Sequence, residues 1–317
     1  MVVDVVGLTP ALLGEHTPNL RRLADSGSSG TISPVLPAVT CSAQATYLTG
    51  KLPRDHGIVG NGWLFRDTQE VLLWRQSNKL MQGEKLWQTM RKRDPQATCA
   101  NLFWWYNMYS DVDYSVTPRP MYPADGRKIP DVYTYPMEWR DELSEKLGQF
   151  PLFKFWGPLS DITSSRWIVD AALLTVERFR PTLTLVYLPH LDYCLQKLGP
   201  DHPDIPGELR AIDAECGRLL DMAEREDMEV VVVSEYGIEP AERPVHLNRV
   251  LREAGYLQYR MELGREMYDA GASRAFALAD HQLAHIYVRD EADLASVKAL
   301  VEAQPGVERV LDAADKV

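Results

Sequence analysis

A threonine hydroxyl is a weak nucleophile at neutral pH unless a base or a cation takes charge of its proton. In "LPAVTCSAQATYLTG", residues 36–50, Thr40 stands between an extended, proline-bounded stretch and a run of helical composition. A helix starting there would set the hydroxyl beside backbone amides that have no partner within the helix. Three other places put polar groups at the ends of apolar strands: Asp4 in "MVVDVVGLTP", Asp192 and Gln196 in "LVYLPHLDYCLQ", and Glu235 with Tyr236 in "VVVVSEYG". Oxygen and nitrogen groups gathered on one rim of a sheet suit a divalent cation that activates a hydroxyl. The candidate metal-site residues are therefore Asp4, Thr40, Asp192 and Glu235, with Thr40 also the candidate nucleophile. Gln196 and Tyr236 read as hydrogen-bonding groups that line the site.

The elements that would position these residues alternate in type. "VVDVVGL" is a β-branched strand, and "TPNLRRLADSG" is a helix with Thr17 at its N-cap, Pro18 in its first turn and Gly27 past its end. "GEKLWQTMRKRDP" reads as a helix and "ATCANLFWW" as a strand. "SSRWIVDAALLTVERFRP" and "GELRAIDAECGRLLDMAERED" are long amphipathic helices, each followed by a buried strand, "TLTLVYLPHLD" and "MEVVVVSEYG". This pattern predicts an α/β fold with a mostly parallel central sheet and helices on both faces. Ligands of such sheets collect outside the carboxyl ends of the strands, where the candidate residues fall.

Residues 1–238 form this core, with an irregular excursion at 106–160 that is rich in Pro, Tyr and Asp. Residues 239–317 read as a smaller, cap-like α+β segment. Within it, "ADHQLAHIYV" places His281 and His285 four apart, on one face of either a strand or a helix. A cap or substrate-contact role is the reading for Asp280 and His281. His56 and Asn61 in "DHGIVGNGW" are expected to shape a pocket. "FWWYNMY" reads as packing, although Trp105 or Tyr106 could stack on a planar group.

The chain's 317 residues carry 34 Lys and Arg against 45 Asp and Glu, a net charge of −11. That disfavours a nucleic-acid polymer as partner, since phosphate backbones need basic surface. It leaves open a small phosphorylated or phosphonylated substrate held through a cation. No apolar run reaches the roughly 18 residues of a membrane span, and "MVVDVVGLTP" reads as a strand rather than a signal peptide. Cys41, Cys99, Cys194 and Cys216 are dispersed and form no C-x-x-C pair. A cytoplasmic protein is the expectation.

The stretch "HTPNLRRLADSGSSGTISPVLPAVTCSAQATYLTGKLPRDHGIVGNGW", then "LDYCLQKLGP" and "VVVVSEYGI", resemble, in order, segments of the type I phosphodiesterases/nucleotide pyrophosphatases. These belong to the alkaline phosphatase superfamily. The resemblance implies an alkaline phosphatase-like fold and a two-zinc hydrolase in which a threonine attacks phosphorus. By position Thr40 takes the nucleophile's place, Asp4 the first-strand carboxylate, Asp192 the aspartate of D-x-x-x-H and Glu235 that of S-D-H-G. Gln196 and Tyr236 stand where that family has histidines, Ala43 stands where it has an asparagine, and its late H-x-G-Y-D segment is not found before the final "VLDAADKV". The resemblance makes zinc the expected divalent metal, and the missing imidazoles leave magnesium or manganese open. The expected reaction is cleavage of a small phosphate or phosphonate ester. The alternative is a catalytically impaired relative that acts as a binding or pathway-assembly protein.

Overall fold

Asp4 interrupts an otherwise apolar strand, β1 (Val2–Val5), that is paired on both sides. The computed structural model describes residues 1–312 and 315, with elements numbered here in chain order. Two units are distinguished: Met1–Ile58 with Gln76–Pro240, and Val59–Arg75 with the chain from Ala241 on.

In the first unit a sheet runs β6-β5-β4-β7-β1-β8. Its strands are β4 (Cys99–Leu102), β5 (Tyr114–Pro118), β6 (Val132–Tyr135), β7 (Leu183–Leu188) and β8 (Val231–Val233), together with β1. All pair in parallel except β6, which lies antiparallel on β5 at the edge. Asp4 pairs in register with Tyr187 on one side and Val233 on the other. The helices are α1 (Pro18–Ser26), α2 (Thr40–Thr49), α3 (Pro53–His56), α4 (Leu86–Arg93), α5 (Trp139–Leu147), α6 (Ile162–Phe179), α7 (His190–Leu198) and α8 (Ile205–Arg225). They flank the sheet in the mostly parallel α/β arrangement that the alternating pattern predicts.

Two local details differ from the sequence reading. Residues 106–160, expected to be irregular, supply β5, β6 and α5. Their strands are four or five residues long and bounded by Pro118 and Pro136, too short to show a period. Thr17 holds the N-cap position of α1 without capping it, because its hydroxyl donates to Leu12 O and accepts from Gly14 N–H. The open amides of α1 go instead to Asp213 of α8, which accepts from Asn19 N–H at 3.1 Å and from Leu20 N–H at 2.9 Å. Thr40 is the first helical residue of α2, with Val39 at its N-cap, so this helix begins where the sequence places it.

The turn after β1 needs Gly7. Its φ is +86°, and a Cβ there would meet Asp192 Cα at 3.4 Å and Leu195 Cδ1 at 3.2 Å. Without a side chain, α7 can start against the end of β1.

In the second unit β2 (Gly62–Phe65) pairs with β3 (Glu70–Leu73), and β9 (Tyr259–Glu262) with β10 (Arg265–Tyr268). A longer hairpin joins β11 (Ala275–Asp280) to β12 (Leu283–Val288). With α9 (Leu247–Glu253) and α10 (Glu291–Glu302) it encloses a core around Leu251, Phe276 and Val297. His281 sits in the turn at φ +60°, and His285 lies in β12.

Candidate active site

Three parallel strands end side by side, and the segments that follow them carry polar groups to one rim. Asp4 is the penultimate residue of β1, Asp192 lies in the first turn of α7 after β7, and Glu235 follows β8. Thr40 comes from the start of α2. All four are buried: Asp4 is 0% exposed, Thr40 3%, and Asp192 and Glu235 5% each.

Gln44 ties two of the acids together. One turn along α2 from Thr40, its Nε2 donates to Asp4 Oδ2 at 3.2 Å and to Glu235 Oε1 at 2.7 Å. Its Oε1 accepts from Trp105 N–H at 2.7 Å, which fixes the amide's orientation. The i, i+4 spacing of Thr40 and Gln44 on one helix face was the available signal for this residue, and the motif reading passed over it.

The remaining oxygens of that acid pair are poorly served. Among the described residues, Asp4 Oδ1 and Glu235 Oε2 have no donor from another group. The two carboxyls hydrogen-bond only through a proton held by one of them. Burial raises the Asp4 carboxyl to about 7, against the pull of its hydrogen bonds with Glu235 and Gln44. Glu235 is raised well above the carboxylate range, by burial first and by the Asp4 charge second. Two like charges this close cannot both ionise without a counter-charge.

A second chain of bonds runs through Tyr236. Its hydroxyl donates to Asp192 Oδ1 at 3.0 Å and lies 3.4 Å from Thr40 Oγ1. Burial and the charges of Asp192 and Glu235 hold this phenol protonated. Gln196, one turn along α7 from Asp192, donates Nε2 to both Asp192 oxygens at 2.9 Å. The glutamine amide and the tyrosine phenol thus both bond to the aspartate.

His56 has a different task. Its Nδ1 accepts from Ile58 N–H and its Nε2 bonds Thr46 Oγ1, each at 3.1 Å, which joins α3 to α2. Burial lowers its pKa to about 4, so the ring is neutral. In the second unit Asp280 accepts from Asn61 N–H at 2.9 Å and Asn61 Nδ2 at 3.0 Å, and it bonds His281 Nδ1 at 3.0 Å. His285 Nε2 donates to Val59 O at 2.8 Å. Trp105 and Tyr106 are buried, with Trp105 stacked on Trp156.

A parallel sheet whose carboxyl rim gathers a helix-borne hydroxyl and three acids defines an alkaline phosphatase-like α/β protein. The chain belongs to the type I phosphodiesterase/nucleotide pyrophosphatase family, whose model matches residues 1–315. An uncharacterised pyrophosphatase/phosphodiesterase of Schizosaccharomyces pombe is 26% identical over 235 residues, 71% of this chain and 41% of that protein. The chain thus aligns with about two fifths of that relative's length. Phosphonoacetate hydrolase of Sinorhizobium meliloti 1021, solved with phosphonoacetate, has a TM-score of 0.67 at 18% identity, over 98% of this chain and 74% of its own. Murine ectonucleotide pyrophosphatase/phosphodiesterase 5, solved as an inactive threonine-to-alanine variant with AMP, gives 0.62 at 18%, over 96% and 70%. At these identities the two structures establish the shared fold.

Proposed function

We propose that the chain is a metal-dependent hydrolase of small phosphate or phosphonate esters in which Thr40 is the nucleophile. The observation that carries this reading is the buried Asp4–Glu235 pair beside Thr40, with an oxygen on each acid left bare. Bare, buried carboxylate oxygens are costly without a counter-charge, and a hard cation fits them. Asp4, Thr40 and Glu235 would hold it, with Asp192 alongside. An all-oxygen donor set favours magnesium or manganese over zinc. When bound, the ion supplies Lewis-acid stabilisation of the threonine alkoxide and of a phosphate oxygen.

The protein's own groups account for the proton. Tyr236 donates to Asp192, so its oxygen can accept from Thr40, and the Thr40 proton has a path through the phenol to the Asp192 carboxylate. Thr40 Oγ bonds to phosphorus as the bond to the leaving oxygen breaks, and that oxygen takes a proton from water. The amides at the start of α2 face the charge that develops. Water then cleaves the phospho-threonine and restores the hydroxyl.

The bonds from Gln44, Gln196 and Tyr236, which partly satisfy the acids without an ion, favour a second reading: a binding or assembly protein that has kept the fold. One experiment separates the two. Metal-free protein is assayed on an activated phosphodiester with magnesium, manganese or zinc added, and acid-quenched samples are searched for phosphate on Thr40. Metal-dependent turnover with labelled Thr40 is expected. Turnover retained in Thr40→Ala overturns the mechanism, and inactivity of a well-folded wild type with every metal moves the assignment to the second reading.

A further inference from the structure

Helix α7 carries two pairs of side chains at i, i+4 spacing, and they face opposite ways. Asp192 and Gln196 form one pair, at the rim. His190 and Cys194 form the other, and two residues of α-helix turn the face by about 200°. On that far side α8 presents Glu208. The ligand atoms of His190, Cys194 and Glu208 all lie within 4.8 Å of one another.

His190 is 4% exposed and Cys194 8%, so neither is a surface group. His190 Nε2 is 2.8 Å from Glu208 Oε2, an ion-pair distance without good hydrogen-bond geometry, and among the described residues Nε2 has no other partner. The ring's bond to the Asp161 backbone therefore falls to Nδ1. Asp161 N–H is committed to Lys154 O, which leaves the Asp161 carbonyl as the acceptor. An imidazole that donates Nδ1–H to a carbonyl keeps a lone pair on Nε2, as metal-bound histidines do. At 2.8 Å from a carboxylate oxygen, that nitrogen calls for a positive charge between the two, supplied by a proton or by a metal ion.

We propose that His190, Cys194 and Glu208 form a cation site separate from the rim cluster, one that takes a zinc-class divalent ion. Sulfur, imidazole and carboxylate are the donors such an ion prefers, at about 2.0–2.3 Å each. Tetrahedral geometry at those lengths spaces donors roughly 3.3–3.8 Å apart. The His190–Glu208 gap opens slightly to reach this and the thiol closes in. Glu208 keeps 35% of its side chain exposed, which gives the ion a way in and leaves room for a water as fourth ligand. Leu191, Leu195, Ile205 and Leu209 pack around the site and hold α7 against α8. The role is to fasten the helix that carries Asp192. The proposal does not depend on the reaction assigned to Thr40.

Cobalt(II) titration of the metal-free full chain tests this, because a thiolate ligand gives a charge-transfer band in the near ultraviolet. The band is expected in the wild type and in Asp4→Asn, which disables the rim cluster, and it is expected to be lost in Cys194→Ser. Glu208→Gln should weaken cobalt binding at this band at least tenfold, since even outer-shell losses cost roughly 10–100-fold. No thiolate band in the wild type, or a band that survives in Cys194→Ser, overturns the site. Should Cys194→Ser fail to fold, X-ray absorption of the zinc-loaded wild type decides. One sulfur scatterer supports the site and none overturns it. Loss of turnover in Asp4→Asn with the band intact bears on the rim alone, so the two assignments fail separately.

Discussion

Asp4 and Asp213 are both aspartates of the first unit, 0% and 2% exposed. Asp213 accepts from two backbone amides and one side-chain amide at the start of α1, all within 3.1 Å. Asp4 accepts from one side-chain amide, has one oxygen bare, and lies against a second carboxyl. Burial is the same and the surroundings are opposite. A fully satisfied buried acid is a fastening, whereas an under-satisfied one beside another acid is a socket for positive charge.

The comparison breaks if both aspartates respond alike to removal. The largest expected difference is in turnover: Asp4→Asn should lower it roughly 10⁴-fold, the scale seen when one member of a catalytic set is removed. Steady-state kinetics with saturating manganese measures it, and a loss under tenfold would place Asp4 with Asp213 as a structural acid.

The next effect is in pH. Burial holds Asp4 protonated up to about 7 in the folded chain, while the unfolded chain loses that proton near 3.8. In metal-free protein the stability tied to this group is therefore full below about pH 3.8 and is lost as pH rises to about 7. The size is on the order of a few kcal/mol. Denaturant melts of chelator-treated wild type should fall across this window relative to Asp4→Asn, and parallel curves would contradict the socket description. Saturating divalent metal should erase most of the difference.

Asp213→Ala comes third, with a stability loss of about 2–3 kcal/mol from charge-assisted hydrogen bonds to the helix start. Turnover per folded molecule should not change, and urea melts paired with active-site titration would show it. The smallest effect is in Thr40→Ser. One buried methyl is worth about 0.8 kcal/mol, so the melt should move little and part of the turnover should remain. A collapse of stability would mean that Thr40 serves packing rather than chemistry.

The alternation of apolar strands with amphipathic helices was readable in the sequence because the inner strands β1, β4 and β7 are buried on both faces and each long helix has a clear stripe, although the valines of the edge strand β8 are partly exposed. β5 and β6 were not, since four or five residues between prolines carry no period. At the site, Asp192 and Gln196 were readable from their place after an apolar strand and from the family resemblance of "LDYCLQKLGP". Gln44 was not singled out: its i, i+4 spacing from Thr40 puts the two on one helix face, but its tie to Asp4 and Glu235 arises only when α2 is laid across the ends of β1 and β8. The capping of α1 by Asp213 was hidden for the same reason: residues 194 apart in sequence meet only after folding.

The two-faced helix α7 has a consequence for how this gene can vary. Substitutions on α7 act one face at a time, but a single-residue insertion or deletion between Asp192 and Cys194 turns everything beyond it by about 100°. Gln196 would leave Asp192, and Cys194 would leave His190 and Glu208, in one event. Length changes in this helix are therefore doubly penalised, and chain-length variation should be confined to the loops on either side of it.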